Sequence, residues 1–147
     1  MTQLTPNFTL AELTHSQTAS RLGLDNTPDA VITQHLVRLA QGLEQVRALV
    51  RCPVVISSGY RSPLVNKAVG GAAKSQHVDG HAADITAPAF GTPARLMEVI
   101  VKARLPYDQC ILEYADKAGG GWVHISFTPT PRGQALVIDG NGTRPYV

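Results

Sequence analysis

The chain has 147 residues, 44% of them apolar, and a formal net charge of +2. A chain of this size buries roughly 68–70% of its unfolded surface on folding, so one domain with its own core is expected, with no need of a disulfide or structural metal. The weak charge and the absence of a long Lys/Arg run exclude nucleic acid as the main partner, and no apolar run approaches the ~20 residues of a membrane helix.

Met1 to Pro6 shows neither a basic nor an apolar leader. The expectation is a soluble product, cytoplasmic as synthesised and a monomer, which something else delivers if its substrate lies outside. Residues 1–26 read as irregular, apart from a short helix over 9–13 with Thr9 as N-cap and Glu12 closing a capping box. Gly23, Asn26 and Pro28 then break the chain.

A long helix is expected from Pro28 to Val50, with Thr27 as cap and Pro28 in the first turn. Ile32, Leu36, Leu39, Leu43, Val46 and Val50 form its apolar stripe. Val54-Val55-Ile56 reads as a buried strand, followed by a turn-rich stretch over 57–63 and a helix then loop over 64–76. Further strands are expected over 81–86, 109–114, 122–127 and 134–138, a helix over 93–104 opened by Thr92-Pro93, and a glycine-rich turn over 117–121. Without a regular βαβ alternation, this is α+β with a mainly antiparallel sheet. Cys52 and Cys110, the only cysteines, are far apart and form no CxxC pair; they read as reduced core residues, with one disulfide as the alternative.

Chemistry-bearing residues concentrate in Ser75-Gln76-His77-Val78-Asp79-Gly80-His81-Ala82-Ala83-Asp84. Imidazole and carboxylate are zinc ligand types, and catalytic zinc sites use three protein ligands and keep one position open. On a strand Asp84 shares a face with Ala82, while Ala83 and Ile85 point the other way. In Trp122-Val123-His124-Ile125-Ser126-Phe127, alternation puts Val123, Ile125 and Phe127 on an apolar face and turns His124 away from it. His77, Asp84 and His124 are thus a candidate trio. Five histidines allow other trios, His81 being the rival ligand, while His15 and His35 show no partner.

Ser75-x-His77-x-x-Gly80-x-Ala82-x-Asp84 followed by Trp122-x-His124 resembles the zinc D-Ala-D-Ala carboxypeptidases and related murein endopeptidases, and most of all their small single-domain bacterial and phage forms. Ser57 to Pro63, Asn66 and Val69-Gly70-Gly71 also match, so the likeness runs from about residue 8 to 137 of a single 1–147 domain. The resemblance implies the fold these peptidases share with the Hedgehog signalling domain, one zinc ion held by His77, Asp84 and His124, and Arg61 on the substrate carbonyl or the developing oxyanion. It implies a peptidoglycan stem peptide as substrate, cut as a D-Ala-D-Ala carboxypeptidase or an L-Ala-D-Glu endopeptidase. A phage endolysin or virion protein is expected to fit the missing leader, with a holin or the particle for delivery. Ser75, Tyr60 and Trp122 are candidate substrate-binding residues, the last two equally readable as core.

One position departs from the pattern. Several relatives carry an acidic general base three residues before the last His, where this chain has Gly121. Glu113, at the end of a strand expected beside that of Trp122, is the substitute, with Asp116 and Asp79 as alternatives. The lost acid keeps a second reading open, a non-catalytic wall-binding or virion module that retains the groove.

Overall fold

The computed structural model describes residues 2–117 and 120–147. The N-terminal stretch is not irregular. Strand β1 (Gln3–Thr5) pairs antiparallel with β2 (Phe8–Thr9), and helices α1 (Leu10–Thr14) and α2 (Gln17–Leu22) follow. The capping box of Thr9 and Glu12 is present, and Ser16 caps α2, which stops at Gly23 in the left-handed conformation. Elements this short hold too few periods to stand out in a sequence.

Helix α3 (Ala30–Val50) begins later than expected, and Asp29, not Thr27, caps it. The Asp29 carboxylate accepts the amide of Ile32 at 2.8 Å, which leaves Pro28 ahead of the cap. Leu36, Leu39, Leu43 and Val46 are fully buried along its stripe. Gly42 shares that face because the Phe127 ring lies against its backbone: a Cβ there would stand 2.3 Å from the ring. Gly42→Ala is therefore expected to destabilise the fold by about 1–3 kcal/mol through overpacking, read as a lower denaturant midpoint at unchanged slope.

After α3 come β3 (Val55–Ser58), α4 (Pro63–Ala68), β4 (Ala82–Thr86), α5 (Pro93–Lys102), β5 (Gln109–Glu113), β6 (Trp122–Ser126), β7 (Gln134–Asp139) and β8 (Gly142–Pro145). The expected turn over 117–121 lies partly outside the described residues. Six strands form one sheet in the order β3-β4-β6-β5-β7-β8, antiparallel except where β7 runs parallel to β5. The strand expected at 54–56 is not buried through its length. It is the sheet edge, and Val55 is 48% exposed while Val54, just before it, is buried.

The sheet has one dry face and one open face. Ile85, Val123, Leu112 and Val137 stand opposite one another across β4, β6, β5 and β7, as do Ala83, Ile125, Cys110 and Ala135. These rows join the core with α3 and α5. Both cysteines are free, and Cys110 is buried against Met97 with sulfurs 3.4 Å apart. Among the described residues no helix is long and apolar enough to cross a membrane.

Candidate metal centre

The open face is set by the register. Asp84 stands directly opposite His124, and His124 opposite Ile111. Glu113 pairs with Trp122, which places its carboxylate diagonal to His124 on the same face. His77 comes from the loop between α4 and β4. Its carbonyl accepts from the Arg61 amide at 3.0 Å, and the Ser75 hydroxyl accepts its amide at 3.2 Å. Gly80 lets this loop lie on α3, where a Cβ would be 3.0 Å from Ile32.

His77, Asp84 and His124 converge, their ligand atoms within 4.8 Å of one another and all three side chains buried. Asp84 Oδ1 lies 3.3 Å from His77 Nε2 and 3.4 Å from His124 Nδ1. Ligands about 2.0–2.2 Å from a tetrahedral zinc stand roughly 3.3–3.6 Å apart, so the spacing suits that ion. His77 Nδ1 is 2.8 Å from the Gly59 carbonyl. A carbonyl only accepts, so Nδ1 carries the hydrogen and Nε2 turns its lone pair to the centre. Asp84 Oδ1 is buried with no hydrogen-bond donor among the described residues. An orphaned carboxylate oxygen facing an imidazole lone pair is costly unless a cation stands between them. The residues fit a metal.

Around the trio is a cavity of about 500 Å³, lined also by Arg61, Lys74, Ser75, Glu113 and Trp122. Arg61 holds its guanidinium 3.7 Å from Asp84 Oδ2, braced by Ser58 Oγ at 3.1 Å and Asn66 Oδ1 at 3.3 Å. Glu113 Oε1 lies 3.9 Å from His124 Nδ1. Burial alone would raise the Asp84 carboxyl, but an N–H or positive charge turned to it by His124 and His77 holds it well below the usual carboxylate range, and with both lone pairs turned inward a bound cation would supply that charge instead. Glu113 goes the other way. Burial, and then the Asp84 charge, raise its carboxyl against the pull of His124 and Arg61. Two neighbouring carboxyls pushed apart in this way suit one to bind cations and the other to exchange protons.

A family model described as Peptidase M15 matches residues 6–126. The chain belongs to the Peptidase M15 family. A search among curated proteins returned no match. As an M15 peptidase it has a DD-peptidase-like fold and belongs with zinc-dependent metallopeptidases that act on peptidoglycan peptides. The matched span carries all three metal-binding candidates and ends before β7.

Not every other sequence candidate in this M15 chain lines that cavity. Tyr60 is 7% exposed, packs against the core and lines a second cavity beside Arg61, not the metal cavity. His81 is turned from the trio and stacks on His35 at 4.4 Å, so neither ring lacks a neighbour; His35 Nδ1 also bonds the Asp79 carbonyl at 2.7 Å. Asp79 and Asp116 are exposed and do not line the cavity. Trp122 does line it, and its buried indole N–H is near enough to the Glu113 carboxylate to draw that group's pKa down.

Gly121 also has a structural reason. Its φ is +91°, and a Cβ would stand 2.8 Å from Ala115 and 2.9 Å from the Glu113 carbonyl. An acid at 121 would require the chain at 113–115 to move.

Proposed function

We propose that this M15 protein is a zinc peptidase cutting an internal amide bond of the peptidoglycan stem peptide. His77, Asp84 and His124 are the ligands, Glu113 the general base and Arg61 the cation that holds the substrate carbonyl. The observation that carries this reading is the Glu113 carboxylate, 3.9 Å from a candidate ligand and lining the same cavity as the trio. Such a group is held where a proton must be taken and returned.

A zinc bound there supplies Lewis-acid chemistry, lowering the pKa of water to about 7 and polarising the carbonyl. Glu113 takes the proton of the attacking water and returns it to the departing amine. Arg61 donates to the carbonyl oxygen as it gains charge, a contribution often among the largest in such reactions. Trp122 and Ser75 line the path of the peptide.

The endopeptidase is favoured over the carboxypeptidase by a second cavity next to the metal site. Arg61 also lines a second cavity of about 480 Å³, bordered by His15, Ser16 and Ser58. Two cavities that share Arg61 suit a chain that continues past the cut. Purified sacculi digested with the protein are expected to release peptides with new amino termini inside the stem, identified by mass spectrometry. Free D-Ala as the sole product would assign the carboxypeptidase reaction. Binding without any release would overturn the enzymatic reading.

A further inference from the structure

We propose that Gln76, Asp108 and Arg132 form a relay that decides which nitrogen of His124 faces the metal. This rests on the reading of His124 as a ligand. Asp108 is 3% exposed. Its Oδ1 accepts from Arg132 Nε and from the Arg132 amide, both at 2.9 Å, and its Oδ2 accepts from the guanidinium at 2.7 Å. The Arg132 hydrogen bonds pull its carboxyl down to about 2, so it is ionised and can only accept.

The group of Gln76 standing 2.8 Å from Asp108 Oδ2 must then be its NH₂. An amide that donates from one end presents oxygen at the other, and that oxygen lies 3.2 Å from His124 Nε2. An amide oxygen accepts, so His124 Nε2 carries the hydrogen and Nδ1 keeps the lone pair. Nδ1 is the atom 3.4 Å from Asp84 Oδ1. Each member leaves the next a single orientation.

The relay is fastened to the strands that carry the site. The Asp108 amide donates to the Ser126 carbonyl at 2.8 Å, and its own carbonyl accepts from the Gln134 amide at 2.9 Å. His77 achieves the same result through one backbone carbonyl, that of Gly59, which no side-chain substitution removes. For His124 the orientation is encoded in side chains, and so it is open to mutation. Gln76, Asp108 and Arg132 are positioning residues, touching ligand or relay and not the reacting atoms.

The test begins with metal-free, ¹⁵N-labelled protein at mildly alkaline pH. Long-range proton–nitrogen correlation is expected to show His124 with its hydrogen on Nε2. Asp108→Asn, which frees the Gln76 amide to turn, and Gln76→Leu, which removes it, are expected to give mixed tautomers. Both should bind zinc about 10–100-fold more weakly in chelator competition. His124 carrying its hydrogen on Nδ1 in the parent chain would overturn the relay. So would zinc binding at parental strength in both variants. Should Asp108→Asn fail to fold, the parental tautomer and Gln76→Leu still decide. A parent chain that binds no zinc fails earlier, at the metal reading itself, and takes the relay with it.

Discussion

Purified protein is expected to carry about one zinc per chain, and His77→Ala or His124→Ala to carry close to none. Three protein donors are the usual minimum for a catalytic zinc. With one imidazole gone, Asp84 and a single histidine remain, and neither is pre-arranged to bind alone. The loss should be of metal and hydrolysis, not of fold. The trio lies on the open face, while the core of Leu36, Leu39, Leu43, Ile85, Val123 and Ile125 lies on the other. Metal analysis beside circular dichroism reads both: zinc near zero with an unchanged helix signal is the expected pair. Stoichiometric zinc in both single variants would sink the trio.

The part of this site that could be read from the sequence was carried by the motif, not by spacing. Counting alone leaves His81 as good a ligand as His77; what separates them is the loop, whose hydrogen bonds turn one ring to Asp84 and the other onto His35. Strand alternation does orient His124 away from the core, because period-two patterning survives in so clear a run as Val123, Ile125, Phe127. It does not say which strand is the neighbour. That Asp84 meets His124 depends on the order β4-β6-β5, a long-range pairing with no local signature.

The same contrast holds for the scaffold. Helices α3 and α5 are legible because they repeat an apolar stripe over several turns. The first strands, α2 and β8 are too short for that, and the parallel pairing of β7 with β5 follows from the connection after β6, which passes β5 and brings β7 to its far side. Gln76 sits beside a motif histidine and reads as any polar residue. Its meaning comes from Asp108 and Arg132, brought in by irregular segments that no periodicity announces.

Glu113→Gln is expected to keep its zinc and lose about 10²–10⁴-fold in turnover, the range that general-base catalysis contributes. The substitution preserves shape and leaves the three ligands untouched, so metal content separates this variant from the histidine ones. It also carries a pH signature. The base acts in its ionised form, and burial with the Asp84 charge raises its carboxyl. Activity of the parent should therefore fall, as pH drops, at a value above that of an ordinary glutamate, and the residual activity of Glu113→Gln should lack that limb. Hydrolysis near the parental rate would pass the role to another acid, and the geometry leaves few. Asp79 and Asp116 do not line the cavity, and Asp84 is taken by the metal-binding trio. Gly121 has no room for a side chain against Ala115 and the Glu113 carbonyl. The backbone that closes position 121 to an acid thus belongs to the strand end that presents Glu113, and it ties the missing carboxylate to the one that replaces it.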